Sequence, residues 1–189
     1  MNFVLASSSP RRKKILSKLN IDFEIFHPNA LEPAYNCKTS PVNYAKKLSR
    51  IKAASAYEKY SSKTIIGADT IVVLGEKVLG KPKNKKDAYN TLMMLSGKTH
   101  QVITAVTIMN NNNKHTFSET TLVTFFDLNE IDVLKYVDTD SPYDKAGSYG
   151  MQSDSAIFVK KINGCYYNAI GFPLSKFHYV CKNTLNIPI

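Results

Sequence analysis

Apolar residues recur at two spacings along this chain, and the change from one to the other marks out its elements. Phe3-Val4-Leu5-Ala6 is an unbroken apolar run that predicts a short strand over residues 2 to 6. Ser7-Ser8-Ser9-Pro10 then announces a helix, with Ser9 as N-cap and Pro10 at the first helical position. That helix reaches about Leu19, turning Ile15, Leu16 and Leu19 inward and Lys14, Ser17 and Lys18 outward. Phe23 to Phe26 predicts a strand, and Ser40-Pro41 repeats the cap-plus-proline signal for a second helix to about Tyr57, with Ala45, Leu48 and Ala56 on one stripe. Residues 64 to 74 are nearly continuous apolar and β-branched sequence, the pattern of a central strand buried on both faces.

The second half alternates in the same way. A helix over about 84 to 96 carries Ala88, Leu92 and Leu95 in register and stops at Gly97. Strands over about 99 to 109 and 115 to 126 flank an Asn110-Asn111-Asn112-Asn113 turn, and a short helix runs from about Asn129 to Val137. The last third is rich in loops around Gly147 and Gly150, then predicts a hairpin about Asn163-Gly164 and a final helix opened by Pro173. Helices and strands mix without strict βαβ alternation, so the expected class is α/β with a mixed sheet, in a single domain spanning 1-189.

Composition narrows the function classes. With 43% hydrophobic and 21% charged residues the chain is neither disordered nor fibrous, and no run approaches the roughly 18 apolar residues of a membrane span. The apolar opening precedes a basic cluster, the reverse of a secretory signal, and a cytoplasmic location is expected, without membrane partners. Cys37, Cys165 and Cys181 lack C-x-x-C spacing and read as reduced thiols rather than a disulfide framework or zinc site. A net charge of +10 fits polyanionic partners, and it fits equally a lysine-rich solvated surface.

Placement of the charges says more. Ser7 to Arg12 joins a strand end, three small hydroxyl residues and an arginine pair at a helix start, where cations oppose the macrodipole unless an anion offsets them. Phosphate binding is the preferred reading for Arg11 and Arg12, whereas Lys13 and Lys14 read as a solvated basic face. Lys52 falls on the apolar stripe of its helix, so it either snorkels to water or meets a counter-charge. Asp69 interrupts the apolar central strand: either Gly67 to Thr70 form an exposed bulge or strand-end turn, or the carboxylate is buried, which costs several kcal/mol unless it is paired, hydrogen-bonded or metal-bound. Glu32, in the loop from Pro28 to Pro33, reads by itself as a solvated acid; paired with Asp69 it would complete a set of hard oxygen ligands for a divalent cation. Gly75 to Lys81 satisfies G-x-x-x-x-G-K, but Pro82 replaces the hydroxyl that would hold magnesium, so it is not a P-loop. Lys81 either presents its ammonium to a phosphate or stands in solvent. His100 has no serine or cysteine nucleophile in context, which argues against a hydrolytic triad.

Leu5 to Arg12, Gly67-Ala68-Asp69-Thr70, Lys81-Pro82, Leu95-Ser96-Gly97 with His100 and Val102, Asp144-Lys145-Ala146-Gly147 and Gly171-Phe172-Pro173-Leu174 together resemble the Maf family of nucleotide pyrophosphatases, in the same order over residues 3 to about 174. The resemblance implies a Maf-like, inosine-triphosphate-pyrophosphatase-like α/β fold with a cleft between two lobes, and hydrolysis of a nucleoside triphosphate to monophosphate and pyrophosphate. It also implies a divalent metal cation, Mg2+ or Mn2+, and a homodimer, with no stable nucleic-acid complex. The family's proton acceptor falls on Asp69, its loop glutamate on Glu32 as a metal ligand with Asp69, and its phosphate-facing groups on Ser7, Arg12, Lys52 and Lys81. Leu31 stands where many members carry a second acid. Three substrate-specificity positions read Arg11, Thr70 and Gln152, as in the branch that takes dTTP and UTP; the branch resembling 7-methyl-GTP pyrophosphatases would read Trp, Gln and Glu. Two rivals follow: that methylated-purine activity, and a non-catalytic nucleic-acid-binding regulator of septum formation that uses the charge alone.

Overall fold

The structure, a computed structural model, describes residues 3–111 and 113–189. Asn2, at the start of the first expected strand, and Asn112, in the asparagine turn, lie outside the described residues. Strand β1 (Phe3–Ala6) is buried at every position. Helix α1 (Pro10–Leu16) opens as the sequence predicts: the Ser9 Oγ accepts from the Arg12 N–H at 3.4 Å, a cap of the kind worth about 1 kcal/mol. A 3-10 turn carries it on to Leu19, and Asn20 stops it in the left-handed region at φ 52°.

Strand β2 (Phe23–Phe26) follows, then helix α2 (Pro41–Tyr57), capped by the Ser40 hydroxyl. Strand β3 (Thr64–Leu74) is continuous through Asp69 and turns at Gly75, φ 58°, into the short β4 (Lys77–Leu79). The G-x-x-x-x-G-K stretch is therefore an antiparallel hairpin and no phosphate loop. Helix α3 (Lys85–Leu95), strands β5 (Thr99–Asn110) and β6 (Asn113–Phe125), helix α4 (Glu130–Val137), strand β7 (Val159–Asn163), and helices α5 (Tyr166–Ala169) and α6 (Leu174–Asn183) complete the chain.

The strands form one mixed seven-stranded sheet in the order β2-β1-β3-β5-β6-β7, with β4 on β3. β1 runs parallel to both β2 and β3, while β6 and β7 are antiparallel. Contacts divide the chain into two compact units, the first of 1–70, 104–119 and 171–189 and the second of 71–103 and 120–170. In the first, Val4, Ala6, Ala53, Ala56 and Ile65 form a fully buried cluster under Phe26, Tyr57, Tyr60 and Met109, so that α2 covers the parallel strands. The second is built on aromatic rings: Phe125 lies 5.0 Å from His100 and 4.8 Å from Tyr149, edge to face.

The sequence expectation fails at Asn163-Gly164, where a hairpin was read. β7 ends at Asn163, and Gly164, at φ 126°, turns the chain directly into α5. A Cβ there would stand 3.0 Å from the Thr121 Oγ1. The glycine serves that close passage along β6, where the Thr121 hydroxyl donates to the Cys165 carbonyl at 2.9 Å. An Asn-Gly pair signals a tight left-handed turn, and both a hairpin and a strand-to-helix turn meet that requirement.

Candidate functional site

Ser7, Arg12, Glu32, Lys52, Asp69 and Thr70, all of the first unit, meet where β1 ends and beside the middle of β3. The turn after β1 places the Ser7 hydroxyl where it accepts from the Ser9 N–H and from the Arg12 Nη1, each at 3.2 Å. Arg12 projects from the first turn of α1. Its Nε donates to the Gly171 carbonyl at 3.0 Å and its Nη2 to the Thr70 Oγ1 at 3.0 Å, so the fork is held from three sides. Burial lowers the Arg12 pKa, the Asp69 carboxylate opposes that, and the neighbouring Arg11 lowers it further. An arginine stays charged through such a change.

Asp69 is 6% exposed, which settles the sequence question of whether it lies on a bulge at the surface. Lys52 meets it because α2 sits directly on β3: a Cβ on Gly67 would lie 2.5 Å from the Ser49 carbonyl oxygen and 2.6 Å from the Ala53 nitrogen. No other residue type fits that contact. The Lys52 ammonium then bonds the Asp69 Oδ1 and, at 2.9 Å, the Glu32 Oε1. Of the two sequence readings of Lys52, the counter-charge is the one realised. Desolvation raises the Asp69 pKa, Lys52 and then Arg12 pull it down, and Glu32 adds to the rise.

Glu32 is less enclosed, with its side chain 47% exposed. The loop that carries it is tied to α2, since the Tyr44 hydroxyl donates to the Pro33 carbonyl at 3.0 Å and the Tyr35 ring packs against Tyr44. Burial raises the Tyr44 pKa, followed by the charges of Asp69 and Glu32, which marks Tyr44 as a neighbour of both acids. Sequence reasoning missed this tyrosine, whose position on α2 carries no separate signal. It also missed Thr104, which bonds Thr70 at 3.0 Å between their hydroxyls. A lone threonine inside the apolar run Val102 to Val106 is a signal of the same kind as Asp69, a polar group in a buried strand.

Ser7, Arg12, Glu32, Lys52, Asp69 and Thr70 are thus brought together, with Arg11 on the same helical turn as Arg12. Lys81 and Gln152 are exposed residues of the second unit. His100 is no general base: it is 1% exposed, its Nε2 shares a 2.7 Å hydrogen bond with the Tyr149 hydroxyl, and burial pushes its pKa down to about 4. The three cysteines are free thiols, as expected.

Chemically, this arrangement offers two carboxylates bonded to one lysine ammonium, with the fixed Arg12 guanidinium acting on Asp69. Among the described residues no group of three or more His, Cys, Asp or Glu is gathered that could hold a metal by itself. The oxygen pair of Asp69 and Glu32 suits a hard divalent cation that takes its other ligands from water and from a phosphorylated substrate, as magnesium commonly does.

The Maf-like protein family model matches residues 2–184. A Thermosipho melanesiensis protein is 47% identical over 176 residues, covering 93% of this chain and 94% of its own. A Bacillus pumilus protein is 44% identical over 173 residues, 92% and 91% of the two chains. One from Carboxydothermus hydrogenoformans is 42% identical over 180 residues, 94% and 96%. All three carry the name dTTP/UTP pyrophosphatase.

Proposed function

The chain belongs to the Maf-like protein family, and from that premise we propose that it hydrolyses dTTP and UTP to the monophosphate and pyrophosphate, keeping such nucleotides, and modified pyrimidine triphosphates, out of nucleic acids. The observation that carries the site assignment is the Asp69 carboxylate, buried yet ionisable beside Lys52 and Arg12. A triphosphate tail is multiply anionic, and cleaving its α–β anhydride needs that charge offset while a water is aimed at the α-phosphorus. Arg12 and the Ser7 hydroxyl would bind the phosphates, and Lys52 would hold the acids and the tail in one place.

Asp69 takes the proton as the water oxygen bonds to the α-phosphorus, and the α–β bridging oxygen leaves with pyrophosphate. A divalent cation, Mg2+ or Mn2+, held by Asp69 and Glu32, would supply further charge neutralisation on the tail. For Lys81 and Gln152, the roles in phosphate binding and in specificity rest on the family resemblance alone.

The pyrimidine preference is supported by the names of the relatives and by Arg11, Thr70 and Gln152, the residues of that branch. Neither rival reading is favoured: the methylated-purine branch differs at those positions, and a nucleic-acid regulator gives no reason for a buried acid and lysine pair. A cytoplasmic homodimer is the working state we propose on the family resemblance. No helix among the described residues is long and apolar enough to cross a membrane. Pyrophosphate release from a panel of purine, pyrimidine and modified triphosphates, with magnesium, manganese or chelator, tests the reading. Release from dTTP and UTP ahead of the purines, abolished by chelator, is expected; a purine preference would reject it.

A further inference from the structure

Gln152, in the second unit, stands on a turn whose two ends are locked by serine hydroxyls. The Ser153 N–H donates to the Gly150 carbonyl at 3.1 Å, which makes Met151 and Gln152 the central residues of a β-turn. Met151 is buried and Gln152 exposed, so one central side chain anchors the turn and the other projects from it. The Ser153 hydroxyl donates to the same Gly150 carbonyl at 2.8 Å, and the Ser155 hydroxyl accepts from the Gly150 N–H at 3.0 Å. The two hydroxyl oxygens lie 2.9 Å apart. Each hydroxyl has one hydrogen to give. When Ser153 gives its proton to Gly150 and Ser155 gives its own to Ser153, both backbone groups of Gly150 are paired and the cage closes.

The ordinary uses of a serine do not account for this pair. Ser153 precedes the 3-10 turn Asp154–Phe158 as its N-cap, yet its hydroxyl bonds no backbone N–H of that turn. Ser155 is fully buried, so it is no solvated surface hydroxyl. Gly150 is confined a second time by Lys145: an added Cβ would stand 2.9 Å from the Lys145 Cδ and Cε. The Lys145 ammonium is itself bound to the Ser141 carbonyl and, at 2.6 Å, to the Asp144 Oδ1. The backbone under Gln152 is thus held in one direction. An amide reads a base edge only where its donor and acceptor meet the matching acceptor and donor, so that direction matters.

We infer that Ser153 and Ser155 are positioning residues for substrate selection: they fix the turn that carries Gln152, act on the nucleobase through it, and leave binding of the polyphosphate tail unchanged. This rests on the reading of the protein as a nucleotide pyrophosphatase with Gln152 at the base. Ser153→Ala and Ser155→Ala remove the hydroxyls, and Ser153→Thr keeps one.

The experiment measures kcat/KM for dTTP and dGTP, with calorimetric binding of both nucleotides and of inorganic tripolyphosphate, in these variants alone and combined with Gln152→Ala. Ser155→Ala is expected to shrink the dTTP to dGTP ratio about tenfold, the worth of one hydrogen bond to the base. Ser153→Ala should act in the same direction and Ser153→Thr should stay near wild type, with tripolyphosphate affinity unmoved throughout. In the Gln152→Ala background the serine substitutions should change the ratio no further, which a loss of stability alone would not produce. An unchanged ratio in Ser155→Ala would overturn the inference, as would an equal loss of all three ligands, full additivity with Gln152→Ala, or a ratio that Gln152→Ala does not move. Wild-type protein that prefers dGTP would reject the pyrimidine reading, and one that binds nucleotides but releases no pyrophosphate would reject the catalytic reading. In either case a binding preference that the serine and Gln152 variants alter in step upholds this inference, and one that they alter independently overturns it.

Discussion

Lys52 reaches Asp69 across a helix-to-strand contact that has room for no side chain at Gly67, where an added Cβ would fall within 2.6 Å of the Ala53 nitrogen. The pairing of the buried acid with its cation thus depends on a residue that touches neither. Gly67→Ala should push α2 away from β3 and cost about 1–3 kcal/mol as an overpacking defect. Pyrophosphate release should fall by more than the loss of folded protein explains. Urea unfolding beside turnover measures both, and an alanine variant with native stability would contradict the close-contact account.

Burial holds the Asp69 carboxyl above its ordinary value of 3.8, with Lys52 the largest opposing influence. A base must be deprotonated, so the acid limb of kcat/KM should lie above the range of a free aspartate. Lys52→Met removes the largest lowering influence and should move that limb to higher pH, with a loss of about 10²-fold at neutral pH. An unmoved limb would separate Lys52 from the titrating group. The stability sign is the reverse of the usual aspartate: the folded state holds this proton more tightly, so its contribution is present below the unfolded pKa and is lost as pH rises through the folded one.

His100 gives the opposite slope. Its folded pKa of about 4 lies below the 6.5 of an unfolded histidine, and its buried Nδ1 has no hydrogen-bond partner among the described residues. Stability should therefore fall as pH drops from about 6.5 to about 4, by up to about 3 kcal/mol over that window. Urea midpoints across that range should fall less steeply in His100→Gln, which cannot take up the proton. Equal slopes for wild type and variant would place the acid sensitivity elsewhere.

Glu32 reaches the site from a loop. Glu32→Gln keeps its size but removes a charged oxygen ligand, and the magnesium concentration for half-maximal turnover should rise about tenfold or more, with little change in stability. A metal titration identical to that of the wild type would remove Glu32 from the metal site.

Much of this was legible along the chain because it is written in local patterns. The Ser9 and Ser40 caps follow from hydroxyl and proline spacing, and β3 from its apolar run. Asp69 and Lys52 stand out because each is a charge on a face that is otherwise apolar. What the sequence could not supply are partnerships across long stretches of chain. Arg12 and Gly171 are 159 residues apart, and the second contributes a backbone carbonyl, which has no side-chain signature. Thr104 looks like an ordinary strand residue until its neighbour is known. Asn163-Gly164 was misread because local turn chemistry specifies the bend and not the element after it.

The central claim is that Asp69 is the base for the attacking water. Asp69→Asn keeps the shape and removes the proton acceptor, so pyrophosphate release from dTTP and UTP with magnesium should drop by about 10²–10⁴-fold while the protein remains folded by circular dichroism. Turnover equal to that of the wild type in the folded variant would contradict the account.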